Sequence, residues 1–284
     1  MLVLVYFIAL LLAGFAAGIV GAMSGLGGGV VIIPILTLLL GIPLEYAAGA
    51  SLISTIATSS GAASAYVKDK LANIKIGMSL EIATTLGAII GSLLAAYAYA
   101  NGLSKWLFVL FGVVLLLSLY PTYKEYMKVR RKRINRDWST ELFQLSGSYY
   151  DKAKKRTIRY SGYRWWLGEA IMGCAGLISG LLGIGSGVLK VMGMDWGMRL
   201  PMKVTTSTSN FMIGVTAVTG GAIYWALGYI QPFMVAPVVI GILFGAYCGS
   251  KILQKTPGRS VRLLFLILLA IIGIEMVLRG FGVA

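Results

Sequence analysis

The chain has 284 residues, of which 58% are hydrophobic and only 12% charged, and its mean hydropathy is +0.84. Soluble domains carry about one-quarter charged residues, so this composition excludes an ordinary soluble enzyme. The net charge is +15, but 13 of the 25 basic residues lie between Lys124 and Arg164, and most of the others flank apolar runs. The positive charge therefore indicates loops at a membrane surface, and we expect no nucleic-acid partner.

Apolar runs divide the chain into membrane segments. A helix needs about 20 residues to cross a bilayer, and on that basis we predict spans at 3–24, 47–66, 77–99, 105–121, 165–182, 204–225, 232–250 and 260–280. The shorter runs 30–40 and 188–198 each follow a glycine-rich break, and such a helix is only about 16 Å long, roughly half the hydrocarbon thickness. The sequence thus predicts an all-α polytopic membrane protein with broken half-helices.

One extended polar stretch, 123–164, separates two apolar halves, 1–122 and 165–284. Within it, LFQLSGSYYDKAKKRTIRY has short alternating runs on either side of a polar turn. This pattern is typical of a β-hairpin. We therefore expect a basic cytoplasmic insertion between two transmembrane units.

The two halves repeat each other without a gap. A shift of 158 residues aligns many small and special residues: Gly18 with Gly176, Gly25 with Gly183, Gly27 with Gly185, Gly29 with Gly187, Pro43 with Pro201, Ser51 with Ser209, Tyr66 with Tyr224, and Gly87, Ala88, Gly91 and Ser92 with Gly245, Ala246, Gly249 and Ser250. One register held over 75 residues indicates an internal duplication.

The distribution of basic residues predicts that the two repeats are inverted. Lys68, Lys70 and Lys75 follow the third segment of the first half, whereas the matching loop GYIQ carries no charge. The loop after the fourth segment reverses this bias, with Lys105 alone in the first half and four basic residues in the second. By the positive-inside rule, each loop has changed sides. We expect five segments per half, both termini outside a cell membrane and the 123–164 loop in the cytoplasm.

The glycine breaks SGLGGGVVIIP and LGIGSGVLKVM are the strongest candidates for a binding site. Irregular backbone at membrane depth is tolerated only where protein or a water-filled cavity receives its polar groups. The half-helices after the breaks would direct N–H groups at such a cavity, which suits a small anionic substrate. The candidates are Gly25, Gly27, Gly28, Gly29, Gly183, Gly185, Ser186 and Gly187. Alternatively, these glycines are only close-packing positions between helices.

Lys190 follows the second break by three residues, and its counterpart in the first half is Ile32. We expect it either to pair with the bound anion or to extend to the cytoplasmic interface. The third segment of each half supplies hydroxyl and amide groups, of which we favour Ser51, Ser209 and Asn210 as substrate ligands. Such side chains also hydrogen-bond to their own helix or to neighbouring helices.

Several motifs of enzymes and pumps are missing from the sequence. The chain has no histidine and no GxxxxGK[ST] phosphate loop, so we expect no metal site, no cofactor, no enzymatic activity and no ATP-driven transport. Glu81, Glu169 and Glu275 fall near the ends of predicted segments, where interfacial solvation is the simplest expectation. A coupling ion such as the proton cannot be assigned from these positions.

The residues GxxxGLGGGxxxxP, AAGASL, LANI and GAIIGS, repeated after the basic loop as GLLGIGSGVLKV, VTTSTSNFMIG and GAYCGS, resemble those of the sulfite exporter TauE/SafE family of membrane permeases. The resemblance covers nearly the whole chain. It implies a secondary transporter with inverted repeats that exports sulfite or small organosulfonates. It also implies that the first motif contributes Gly25, Gly27, Gly28, Gly29, Pro34 and Ser51, and the second Gly183, Gly185, Gly187 and Ser209.

Other functions are compatible with the same residues. A transporter of other small carboxylate or oxyanions would need a similar site, and a passive anion channel would share its dipoles and hydroxyls. A membrane scaffold that transports nothing would need no paired cavity. In all of these cases the lipid bilayer surrounds the protein.

Overall fold

The computed structural model describes residues 2–69, 71–127, 137–153 and 155–282. Within these ranges the chain forms eleven α-helices and one β-hairpin. The helices are α1 (Leu2–Ser24), α2 (Gly28–Pro34), α3 (Leu44–Lys68), α4 (Ile74–Ala100), α5 (Ser104–Met127), α6 (Trp138–Leu142), α7 (Trp165–Leu182), α8 (Gly187–Met192), α9 (Met202–Ala226), α10 (Pro232–Lys255) and α11 (Gly258–Gly280), and the strands are β1 (Ser146–Asp151) and β2 (Arg156–Ser161).

Six helices in the described part of the chain, α1, α4, α5, α7, α10 and α11, are long and apolar enough to cross a membrane. Their outward faces carry large apolar side chains, such as Ile82, Leu86 and Leu117, which are exposed over more than half of their surface. An apolar exterior of this kind is stable in lipid and unfavourable in water. The predicted all-α polytopic membrane fold is confirmed.

The helices α3 and α9 form the centre of the molecule. Each has 25 residues, and each is rich in small and hydroxyl-bearing residues. They run antiparallel to each other, because Gly214 of α9 lies against Ser59 of α3 while Gly221, further along α9, lies against Leu52, earlier in α3. The apolar helices α4 and α10 pack against this central pair, which keeps its polar side chains away from lipid.

The short apolar runs are α-helices that end in a π-helical turn. The helix α2 continues into the π-turn Ile35–Leu39, and α8 continues into the π-turn Gly193–Gly197. The change from α to π geometry comes after Pro34 in the first half and after Met192 in the second. The proline is therefore not needed for the change, which depends on packing shared by both halves.

Contacts between helices also repeat at the shift of 158 residues. A Cβ on Gly18 of α1 would meet the carbonyl of Ile242 in α10, and a Cβ on Gly176 of α7 would meet the carbonyl of Thr84 in α4. Likewise, the Tyr66 hydroxyl donates to Ala22 O (2.8 Å), and the Tyr224 hydroxyl donates to Gly180 O (3.2 Å). The first long helix of each half therefore packs against the third long helix of the other half, α1 against α10 and α7 against α4. The two tyrosine hydrogen bonds repeat within each half.

Equivalent helices of the two halves run in opposite directions where they meet. This holds for α3 and α9, and also for α5 and α11, since Gly112 lies against Gly273 and Val277 whereas Gly280 lies against Lys105 and Val109. A pseudo-twofold axis in the membrane plane produces such a relation. The orientation of the repeats in the bilayer stays a prediction, and these directions support it.

The polar insertion contains α6 and the hairpin, whose antiparallel strands pair Ser146 with Ser161 and Asp151 with Arg156. Asp137 caps α6 and accepts from the backbone N–H of Arg164 (2.8 Å). Although partial burial acts in the opposite direction, hydrogen bonds from Ser139, Arg164 and Thr140 hold the pKa of the Asp137 carboxyl below its usual value. Residues 128–136 and Lys154 of the predicted insertion, and Lys70 of the α3–α4 loop, lie outside the described residues.

Candidate functional site

The two glycine loops, 25–29 and 183–187, meet between α3 and α9. Gly25, Gly27, Gly183 and Gly185 have φ angles of 80°, 78°, 69° and 72°, which are unfavourable for other residues. Gly27 lies against Thr55 and Ile213, and Gly185 lies against Thr55. The loops also touch directly, because a Cβ on Gly187 would overlap with the carbonyls of Gly25 and Leu26.

The glycines that follow the positive-φ positions bring backbone close to hydroxyl groups. The N–H of Gly28 donates to Thr58 Oγ1 (2.9 Å), and a Cβ on Gly29 would overlap with the hydroxyl oxygens of Ser51 and Thr55. Ser186, the counterpart of Gly28, has a φ of 60° and donates its hydroxyl to Gly185 O (2.7 Å). Both loops therefore approach α3, and the first loop makes the closer contacts with its hydroxyls.

Among the side chains of α3 that the structure describes, the buried hydroxyls without a hydrogen-bond partner are those of Ser51, Ser54 and Thr55. All three residues have no exposed surface. Buried polar atoms normally have a partner, and leaving one unsatisfied costs about 1–3 kcal/mol. The three hydroxyls therefore form a buried cluster of unsatisfied donors beside the first glycine loop.

Ser209 and Asn210 of α9 hold the first glycine loop in place. The Ser209 hydroxyl donates to Gly25 O (2.8 Å), and Asn210 Nδ2 donates to Ala22 O (2.8 Å). Among the described residues of α9, the buried polar atoms without a partner are Asn210 Oδ1 and the hydroxyl oxygens of Thr205 and Thr206. Ser51 and Ser209 align in the sequence but differ in the structure. The Ser209 hydroxyl donates a hydrogen bond to a backbone carbonyl, whereas the Ser51 hydroxyl has no hydrogen-bond partner.

Lys190 has a partner that the sequence did not suggest. Its ammonium lies 3.0 Å from Glu81 Oε2, and it also donates to Thr216 Oγ1, which in turn donates to Glu81 Oε1. Lys190 has no exposed surface and Glu81 has 6%. The expectation that Glu81 is solvated at an interface is wrong, because α4 is continuous from Ile74 and turns Glu81 inward. Lys190 likewise does not extend to the interface.

All of the candidate site residues are buried. N–H and O–H donors of this kind can bind the oxygens of a small oxyanion, with Lys190 one helical turn beyond the second loop. Within the described residues, no group of three or more His, Cys, Asp or Glu side chains could hold a metal ion.

The fold is that of a multi-pass membrane protein with buried polar side chains between its two halves, and this arrangement is typical of a membrane transporter. Comparison with known families gives a match to the model of the sulfite exporter TauE/SafE family over residues 10–276. The chain belongs to this family of membrane transporters.

Curated relatives agree with this assignment. The chain is 30% identical over 281 residues to the probable membrane transporter protein YunE of Bacillus subtilis (strain 168), covering 96% of this chain and 98% of that protein. It is 26% identical to the probable membrane transporter protein YdhB of the same organism, covering 87% and 91%. It is 25% identical to the probable membrane transporter protein MJ0441 of Methanocaldococcus jannaschii, covering 95% and 94%. No solved structure matches the chain significantly.

Proposed function

We propose that the protein is a secondary transporter that exports small sulfur-containing anions, such as sulfite or organosulfonates, across the cell membrane. The substrate binds where the two glycine loops meet, and alternating access moves it across. The description of the family supports the substrate class, and the relatives support the transport function. In the proposed orientation the hairpin faces the cytoplasm and both termini are outside.

The observation that carries this proposal is the cluster of unpartnered hydroxyls at Ser51, Ser54 and Thr55. A sulfite or sulfonate group presents three oxygens, and each can accept a hydrogen bond from a hydroxyl or a loop N–H. Binding would satisfy donors that are otherwise buried without a partner, so the site gains more from an oxyanion than from an apolar ligand.

The closed packing of the site favours a transporter over a passive channel. Gly25 and Gly187, one from each half, are in contact, and the candidate residues are buried. A substrate therefore reaches the hydroxyls only when the halves move apart, which is the motion that alternating access requires. A channel would instead hold a continuous path open.

Transport by the purified protein in liposomes tests the proposal. Labelled sulfite, sulfoacetate, thiosulfate and acetate are loaded separately, and efflux is followed with and without the same unlabelled anion outside. A transporter predicts saturable flux and stimulation by the anion on the opposite side, with the sulfur anions favoured over acetate. Flux without that stimulation would indicate a channel, preference for acetate a carboxylate transporter, and no flux for any anion a scaffold.

A further inference from the structure

The buried pair of Lys190 and Glu81 joins the two halves of the protein. Glu81 belongs to α4 of the first half, whereas Lys190 and Thr216 belong to α8 and α9 of the second. The ammonium, the carboxylate and the hydroxyl are all within hydrogen-bond distance of one another. Any motion that separates α4 from α8 must break this cluster.

The pair is present in only one of two equivalent places. At the shift of 158 residues, Lys190 corresponds to Ile32, Glu81 to Val239 and Thr216 to Thr58. Thr58 makes ordinary hydrogen bonds, from the N–H of Gly28 and to the carbonyl of Ser54. At the equivalent position in the other repeat, the corresponding helices therefore pack without a charged pair. Since burying two charges is often no better for stability than apolar packing, the pair has a role besides holding the helices together.

The pair lies next to the proposed substrate site. The backbone N–H of Lys190 donates to Ser186 O (3.0 Å) in the second glycine loop. Thr216 is three residues beyond Ile213, whose side chain contacts Gly27 of the first loop. The lysine side chain has several rotatable bonds, so its ammonium can change position once it is released from Glu81.

Other charged groups on the neighbouring elements have separate surroundings. Glu169 of α7 lies near the backbone of Ala83 in α4, and Asp195 in the π-turn after α8 pairs with Arg262 of α11 (2.6 Å). The charged residues at the ends of the packed helices are Lys75 on α4, Lys105 and Lys124 on α5, and Lys203 on α9. In the described residues, Glu81 is the carboxylate that Lys190 contacts.

We infer that Glu81 is the binding site of a coupling proton, and that its protonation releases Lys190 to bind the anionic substrate. The inference rests on the proposed function. The carboxylate of Glu81 takes up one proton and becomes a neutral carboxylic acid. The ammonium of Lys190 then pairs with the substrate anion instead of with Glu81. The summed charge of the site stays zero when a monoanion binds, which avoids the penalty for an unpaired buried charge.

This change of partner sets the stoichiometry with which proton transport is coupled to anion transport. One proton accompanies one monoanion in the same direction, so transport is electroneutral and follows the combined gradients of the two ions. Export proceeds while the outward gradient of the anion exceeds the inward gradient of protons, as it does for an acid generated inside the cell. The membrane potential does not drive the step.

The test uses the full-length protein in liposomes with labelled methanesulfonate, a monoanion whose charge is constant between about pH 5.5 and 8.5. With equal anion concentrations on both sides, a pH gradient of about one unit should drive up to about tenfold accumulation on the alkaline side. A trapped pH dye should report proton movement with the anion. Glu81→Gln should abolish accumulation and make the remaining downhill flux independent of pH, while Glu169→Gln, the matched membrane carboxyl, should keep the coupling.

A double variant separates coupling from a structural role. Glu81→Val with Lys190→Ile copies the residues of the first half, so it should fold and should lose both the accumulation and most of the affinity for the anion. Normal pH-driven accumulation in this variant would overturn the inference. Wild-type flux that a pH gradient does not drive would overturn the inference alone, whereas no flux of methanesulfonate, sulfite or sulfoacetate would overturn the proposed function with it.

Discussion

Thr55 and Thr58 lie one turn apart on α3 and are both completely buried, but only Thr58 has hydrogen-bond partners. Thr58→Val would leave the N–H of Gly28 without an acceptor and should lower the free energy of unfolding by about 1–3 kcal/mol. Thr55→Val removes a buried hydroxyl that bonds to nothing in the folded protein. It should raise the free energy of unfolding by up to about 1–3 kcal/mol while reducing transport by about tenfold or more.

Thermal unfolding in detergent and anion flux in liposomes, measured on both variants, check this contrast. Ser118→Ala is a suitable control, because the Ser118 hydroxyl bonds only to its own helix at Val114 O (2.7 Å). Full transport by Thr55→Val would show that the unpartnered hydroxyl does not contact substrate.

Replacing Lys190 should affect the stability of the protein in a way that the sequence alone does not predict. From the sequence, Lys190→Met should weaken anion binding with little effect on folding. In the structure the same change leaves Glu81 buried and unpaired, so it should destabilise the protein by about 3–5 kcal/mol. Adding Glu81→Gln should restore most of that loss, which a denaturation series on the single and double variants would measure. Equal stability of wild type and Lys190→Met would contradict a stabilising ion pair between Lys190 and Glu81.

For single residues, the sequence predicted backbone conformation better than it predicted which side chains are in contact. The glycine motifs and their alignment identify Gly25, Gly27, Gly183 and Gly185, because positive φ angles need glycine. The contact of Glu81 with Lys190 was missed, since 109 residues separate the two and nothing local says which face of α4 turns inward. For the same reason, Ser51 and Ser209 look equivalent in the alignment, although only Ser209 meets a free carbonyl.

Among the secondary-structure elements, the β-hairpin makes contacts with helix ends that the sequence did not predict. Lys203 at the start of α9 donates to Asp151 Oδ1 (2.9 Å) and to Gln254 O (3.0 Å) at the end of α10. Lys152 donates to Gln254 Oε1 (2.6 Å) and lies 3.5 Å from Asp69 after α3. The hairpin turn therefore contacts helix ends of both halves. The proposed alternating-access motion would have to break these contacts if it separates the helix ends on this side.

Breaking the pair of Asp151 and Lys203 should loosen the hairpin. Both side chains are 2% exposed, so Asp151→Asn leaves a buried ammonium without its counter-charge. We expect trypsin to cleave the purified variant between Lys152 and Arg159 at least about tenfold faster than the wild type, because the local opening is more populated. Thr157→Ala, on an exposed position of β2, should not change the rate. Equal cleavage of all three proteins would mean that other contacts hold the hairpin.

The predicted helices agree with the observed ones to within a few residues, and 165–182 matches α7 without a shift. Hydropathy suffices for such segments because lipid forces their backbone hydrogen bonds to close internally. The π-turns after α2 and α8 and the five-residue helix α6 were not predicted. Their geometry depends on packing and on single caps such as Asp137, which leave no periodic pattern in the sequence.

For the whole molecule, equivalent loops lie at opposite ends of the central helix pair. The loop after α3 meets the hairpin, as Asn73 Nδ2 donates to the Tyr160 hydroxyl (3.1 Å). The equivalent loop after α9 lies at the other end, where the Tyr229 ring packs edge-on against those of Tyr46 and Tyr99, with centroids 6.1 and 5.6 Å apart. The reversal of charge along the sequence predicts the same arrangement, because the positive-inside rule places basic loops on the cytoplasmic side.

Cysteine labelling in intact cells tests the orientation. Both native cysteines, Cys174 and Cys248, are exposed, so the background carries Cys174→Ala and Cys248→Ala. Single cysteines then replace Val67, Tyr150 and Leu227, which are 39%, 56% and 43% exposed. With a membrane-impermeant maleimide, Leu227→Cys should react in intact cells, whereas Val67→Cys and Tyr150→Cys should react only after permeabilisation. The physical reason is that the basic residues of the hairpin and of the α3–α4 loop hold that face in the cytoplasm. Reaction of Val67→Cys and Leu227→Cys from the same side would contradict the inverted repeat, because α3 and α9 run antiparallel and these positions lie near their carboxyl ends.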